Sequence, residues 1–258
     1  CSGRCALASP TRKPLATIPV VMFSKLLAHF RRRPPTLTEQ QAARLKLLQR
    51  KISTHCTADL AKDRIVVVDV ESTGLSLAND HLIAIGAVAI CSGRIALADS
   101  FEVVLRQDVA SGKENILVHG IGGSEQRAGL PPEEALLAFL DYLDGAPLFA
   151  FHVAFDATML RKAFQKYLGF EFRHTWADLA YVMPELFPVQ SHKHRGLDEW
   201  LKRFAIVNEA RHNALADAIA TAQLGLIAMR AAQARRALTF KSLQKMEQAQ
   251  HWMGAARY

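Results

Sequence analysis

Between Arg64 and Ser76 the chain reads RIVVVDVESTGLS. Four β-branched residues, Ile65 to Val68, run into alternating acidic and apolar positions and then a Thr-Gly turn signal. This pattern predicts a buried strand over residues 65–70. Two more apolar runs predict strands over residues 82–91 and 94–105, and Gly93 between them predicts a hairpin. Further along, the period lengthens. Residues 131–145 open on prolines, carry an apolar face at helical spacing and stop at Gly145. Residues 147–151 read as a short buried strand, and residues 154–169 as an amphipathic helix ending in Gly. Helices are also predicted over residues 175–186, 197–204, 213–229 and 232–250. An antiparallel start followed by alternating helices and strands gives an α/β domain with a mixed central β-sheet flanked by helices.

Upstream, residues 1–21 have loop-like composition, and Met22 opens a more regular stretch that reads as the natural start. A signal peptide is the competing reading, but no small-x-small cleavage site follows LATIPVVMF, and Arg31-Arg32-Arg33 comes instead. After Pro34-Pro35, TLTEQQAARLKLLQRKI begins with a capping-box-like Thr and continues at helical spacing, predicting a short basic helix. Charge changes the picture more than length does. The chain carries +8 overall, but residues 1–60 hold +9 and residues 61–229 hold −6, with six basic side chains against Glu247 in residues 230–258. The expected organisation is a basic arm (1–60), a catalytic body (61–230) and a basic helical extension (231–258). An acidic body with basic arms suits a polyanion only if metal ions offset its carboxylates locally. A merely solvated tail explains the N-terminal arm equally well when it is taken alone.

On this reading no apolar run approaches the ~18 residues of a membrane span, so no membrane partner is expected. The four cysteines, Cys1, Cys5, Cys56 and Cys91, are scattered without a CxxC pair. That usage fits a reducing, cytoplasmic compartment and neither a disulfide framework nor a zinc site.

The candidate chemistry lies in three segments. In a strand, residues i and i+2 face the same way, so Asp69 and Glu71 project together. Two parallel carboxylates repel unless a hard cation bridges them, and oxygen-only ligands favour Mg²⁺ or Mn²⁺. Asp156 in FAFHVAFDATML and Asp217 in RHNALADAIATAQL share an odd form, an acid set inside an apolar helix, with His212 five residues before Asp217. Each has a plainer reading. An acid in a first helical turn favours the macrodipole, and a lone His is commonly a surface or cap residue. All three together, in order, are less ordinary. Four carboxylates suffice for two ions about 3.5–4 Å apart, the arrangement that activates a water and stabilises a leaving oxygen.

DVESTGL, HVAFD and HNALAD resemble the three motifs of the DEDDh exonucleases, in the branch of the proofreading epsilon subunit of bacterial DNA polymerase III. The resemblance spans roughly residues 62–230. It implies a ribonuclease H-like fold and metal-dependent removal of nucleotides from the 3′ end of DNA, releasing nucleoside monophosphates, in proofreading or repair. Carried over by position, it makes Asp69, Glu71, Asp156 and Asp217 ligands of two Mg²⁺ or Mn²⁺ ions, and His212 the general base. His suits that role because its unperturbed pKa lies near neutrality. It implies that backbone groups near Thr73 and Gly74 meet the terminal 3′-hydroxyl, that Leu75 packs on terminal bases, and that His119 helps to position substrate. Phe155 is either core or a base contact, and Thr-Gly on its own reads equally well as a turn.

The chain departs from the family pattern at Val153, where Asn is usual, and at Val70 and Ser72, where Thr is common. About sixty residues also precede the first motif. A stand-alone repair exonuclease is therefore as compatible as a replicative subunit. Two rival functions remain. One is a 3′-5′ exoribonuclease of the same superfamily, since discrimination rests on 2′-hydroxyl contacts outside these motifs. The other is a polymerase-docking, nucleic-acid-binding module. A dinucleotide reading of HGIGGSEQ fails because no buried strand precedes it and the third glycine is missing.

Overall fold

Strand β1 (Ile65–Ser72) holds the central place in the molecule because its side chains serve two cores at once. In the computed structural model, which describes residues 35–54, 56–191 and 196–255, Val66, Val68 and Val70 enter one hydrophobic core, and Ile65 and Val67 enter another. This is the period-2 alternation of a strand covered on both faces. Strand β1 pairs antiparallel with β2 (Leu82–Cys91) and parallel with β4 (Leu148–Ala150). Strand β3 (Arg94–Val104) extends the sheet beyond β2, and β5 (Trp176–Asp178) extends it beyond β4. Among the described residues the order is β3-β2-β1-β4-β5. The β2–β3 connection is the expected hairpin. Ser92 (φ 50°) and Gly93 (φ 68°) both take positive φ, as a tight primed turn requires.

One face carries α1 (Glu39–Gln49), α4 (Pro132–Leu143) and α5 (Val153–Leu168). Helix α1 is the basic helix expected from the sequence. It packs on α4 through Leu45 and Leu48, with Gln41 donating to Glu134 at 2.7 Å and Arg44 paired with Asp141. Two short helices, α2 (Lys113–His119) and α3 (Gly123–Ala128), precede α4. The other face carries α6 (Leu179–Leu186), α8 (Leu197–Arg203), α9 (Ala214–Ala234) and α10 (Phe240–Ala255), with α7 (Pro188–Ser191) following α6. Helix α9 is long and apolar enough to cross a membrane by length and composition, but it lies across the sheet with its Ala- and Leu-rich face in the second core.

Two predicted helices need correction. Residues 175–186 are not one helix, because Trp176–Asp178 pairs in parallel with β4 and the helix starts only after Asp178, whose side chain caps Ala180 N–H at 2.9 Å. The break expected before residue 232 comes later. The buried face of α9 continues through Met229 and Ala232, and the chain turns at Arg236 (φ 61°) before α10 begins. The Met22 start and the signal-peptide reading fall outside the described residues.

One glycine brings the two halves of the site together. Gly86 on β2 sits opposite Asp69 in the ladder. A Cβ at Gly86 would lie 2.1 Å from the Ala214 carbonyl carbon and 2.2 Å from Leu215 N. The first turn of α9 therefore rests directly on the strand backbone.

Candidate active site

Asp69 and Glu71 have the same parity as Ile65 and Val67, so they face the α9 side of the sheet. There, Asn213 caps α9 by accepting from Ala216 N–H at 2.9 Å, and Asp217 lies in the first turn. Strand and helix meet with carboxylate oxygens of Asp69, Glu71 and Asp217 all within 4.8 Å of one another. Asp156, 5% exposed, comes from the first turn of α5 at the end of β4. Its charge acts on Asp69, which links all four acids. Asp69, Glu71 and Asp217 border a cleft of about 410 Å³ that also takes in His212, Gly74, Leu75, Phe155 and His119.

The electrostatics are those of acids lacking sufficient counter-charge. Burial pushes the Asp69 carboxyl well above the usual range, and Asp156, Asp217 and Glu71 push it further. Burial followed by repulsion from Asp217 raises Glu71 to about 8. Asp156 is also held high by burial, against the pull of its own backbone N–H and that of Val70. Arg211 offsets part of this charge. Its guanidinium pairs with Asp217 on one side and with Asp198 at 2.7 Å on the other. Asp217 is further held by Asn208 and by the backbone N–H of His212 at 2.9 Å. His212 takes a left-handed conformation (φ 65°) just before α9, which turns its side chain into the cleft rather than along the helix. The cluster offers only carboxylate oxygens, and its members repel one another. That donor set fits a hard divalent cation.

The residues after the first motif occupy different places. Gly74 and Leu75 line the cleft, and Leu75 is 87% exposed. Thr73 lies behind them, fully engaged. Its hydroxyl donates to Asp80 at 2.7 Å and accepts from His81 N–H, its own N–H reaches His81 O, and Asn115 takes its carbonyl. Lys162 on α5 donates to the carbonyls of Leu77, Ala78 and Asp80 and holds the same turn from below. His119 is buried. Its Nδ1 accepts from Ile121 N–H at 3.1 Å and its Nε2 meets Ser111 Oγ at 3.2 Å, while burial lowers its pKa.

Sequence reasoning missed Arg211, Asn115, Lys162 and Gly86. It also missed Asp178, although that residue has the very signal used for Asp156 and Asp217, an acid inside an apolar segment, TWADLAYV.

A mixed sheet with four acids and a histidine converging beside its central strand defines a nuclease-type hydrolase of the ribonuclease H-like fold. Residues 66–224 match the exonuclease family RNase_T, and the chain belongs to that family. All three motifs lie inside this span, and the resemblance to DEDDh exonucleases of the polymerase III epsilon branch holds. A PolC-type DNA polymerase III of Caldanaerobacter subterraneus is 33% identical over 159 residues, covering 62% of this chain and 11% of that protein. A DNA polymerase III subunit epsilon-like protein of Rhodobacter capsulatus is 30% identical over 185 residues, covering 70% of this chain and 26% of that protein. The chain thus spans only a small part of these relatives. Among solved structures, E. coli exonuclease I in complex with a dT13 oligonucleotide superposes with a TM-score of 0.57 at 17% identity, over 67% of this chain and 42% of that one. Exonuclease X in complex with 5′ overhanging duplex DNA gives 0.55 at 16%, over 71% and 99%. At such identities the likeness establishes the fold.

Proposed function

We propose that the chain is a divalent-metal-dependent 3′→5′ exonuclease that removes nucleoside monophosphates from the 3′ end of DNA, in proofreading or repair. The observation that carries this reading is the convergence of Asp69, Glu71 and Asp217 within 4.8 Å, with Asp156 and His212 completing the set. Asp69, Glu71, Asp156 and Asp217 would hold two Mg²⁺ or Mn²⁺ ions. When bound, these supply Lewis acidity at the scissile phosphate and lower the pKa of the attacking water.

The chain's own groups supply the rest. His212 accepts the proton of the attacking water. The His212 N–H donated to Asp217 fixes the base relative to a ligand. Leu75 and Phe155, both lining the cleft, offer apolar contact to the terminal bases. Residues 1–34 carry seven Lys or Arg and no acid. In this reading they attract the polyanion to an otherwise acidic body through salt-sensitive, non-specific contacts. The names of the relatives make a polymerase subunit the natural partner class to probe.

The test is digestion of matched 5′-labelled DNA and RNA oligomers with Mg²⁺ and with EDTA. A descending ladder from DNA that EDTA abolishes is expected. Internal cuts in a circular strand, or activity that survives chelation, would overturn the reading. Preferential loss of the RNA strand would move it to the exoribonucleases.

A further inference from the structure

Strand β5 is an edge strand. One side pairs with β4, and the other exposes backbone groups that need partners. Helix α10, which lies beyond the 66–224 family span, supplies them. Gln244 Nε2 donates to the Trp176 carbonyl at 2.9 Å, and Glu247 Oε2 accepts from the Asp178 N–H at 3.1 Å. The two side chains are three residues apart, on one face of the helix. The helix is anchored next to them by Phe240 and Leu243, both fully buried, with Phe240 stacked on Phe149 of β4 at 5.2 Å.

The contact at Asp178 leads into the cleft. Asp178 is 4% exposed and belongs to no catalytic set. Its carboxylate accepts backbone N–H groups from His152 at 2.9 Å and Val153 at 3.0 Å, as well as from Ala180. His152 is the N-cap of α5 and takes a left-handed conformation (φ 67°), which a residue of this kind adopts only when its surroundings hold it there. His152 and Phe155 line the cleft, and Asp156 follows in the same helical turn.

We propose that Asp178 and Glu247 are positioning residues. Through them α10 sets the strand-to-helix turn at His152–Val153 and hence the placement of Asp156. Turnover therefore depends on a helix outside the exonuclease family region. The inference rests on the exonuclease reading for its kinetic consequence, but its structural consequence does not.

The experiment compares Glu247→Ala, Glu247→Gln and Gln244→Ala in the full chain. The readouts are melting temperature, kcat and KM on a 5′-labelled DNA oligomer at saturating Mg²⁺, and amide exchange at residues 152–156. Glu247→Ala is expected to lower kcat by about tenfold with KM within about twofold, since loosened placement of a reacting group acts on the chemical step. It should also speed amide exchange at 152–156. Glu247→Gln keeps an oxygen acceptor for the Asp178 N–H and should restore both readouts. Gln244→Ala removes the neighbouring edge contact only, so it should lower the melting temperature and leave kcat unchanged. Glu247→Leu replaces the Ala variant if that one fails to fold. The proposal is overturned if the Ala or Leu variant keeps parental kcat and exchange, or if the Gln variant is as impaired as the Ala variant. If the parent cleaves no nucleic acid, the exonuclease reading fails, and the exchange comparison alone decides the positioning role.

Discussion

Asp156 and Asp178 are almost equally buried, at 5% and 4% exposed, and both sit at a strand-to-helix junction beside the same cleft. Their surroundings are opposite. Three backbone N–H groups saturate Asp178, and they oppose the upward push of burial on its pKa. Asp156 faces burial and the charges of Asp178 and Glu71, and itself raises Asp69, with only two backbone groups to offset them. A carboxylate that the fold has fully paired holds the chain in place. One left short of positive charge has room for a ligand. The difference lies in the neighbours, since burial is the same for both.

The largest effect that tests this comparison is expected from charge removal at each site. Asp156→Asn should lower turnover by about 10³-fold or more through loss of a metal ligand, yet raise the metal-free melting temperature by relieving repulsion. Asp178→Asn should lower the metal-free melting temperature, because its amide turns a donor toward an N–H group. Melting both variants in EDTA would break the comparison if the two shifts had the same sign.

His212→Ala should lower kcat by about 10²–10⁴-fold with little change in metal affinity. Single-turnover rates beside calorimetric Mg²⁺ titration would separate the two effects. Gly86→Ala should cost about 1–3 kcal/mol of stability through overpacking. It should also lower kcat by about 10²-fold, because the α9 backbone must retreat and take Asp217 with it. Chemical denaturation and kcat at saturating Mg²⁺ would measure both.

The pH dependence of stability tests the same contrast. Glu71 releases its proton near 4.5 when unfolded and near 8 when folded. Between those values the folded state holds more protons, so metal-free stability falls as pH rises. Melting temperature in EDTA should therefore decline from about pH 5 to pH 8, and saturating Mg²⁺ should remove most of that decline, since metal binding favours the deprotonated acids. A flat metal-free profile would mean that these carboxylates are better compensated than their spacing implies.

Much of the site was legible because its signals are local. Asp69 and Glu71 share a strand face by period alone, and Asp156 and Asp217 stand out as acids in apolar helical turns. What was not legible depends on partners distant in sequence. Trp176–Asp178 is a strand only because β4 lies beside it, and three residues cannot announce that by pattern. The short helices α2 and α3 are bounded by glycines and contain too few turns for periodicity. Gly86 reads as an unremarkable small residue until α9 is laid over it. Thr-Gly reads equally as a turn or as backbone near the terminal 3′-hydroxyl, and pattern alone does not show that Thr73 bonds Asp80, His81 and Asn115.

Lys162 adds a mechanical consequence. One ammonium group clasps three carbonyl oxygens of the turn below Leu75, and it stands on the helix that begins next to Asp156. The clasp and the helix act as a single jig. A rotation of α5 that displaced Asp156 would carry the turn that bears Leu75 in the same direction, so the spacing between the two is kept while the body around them flexes.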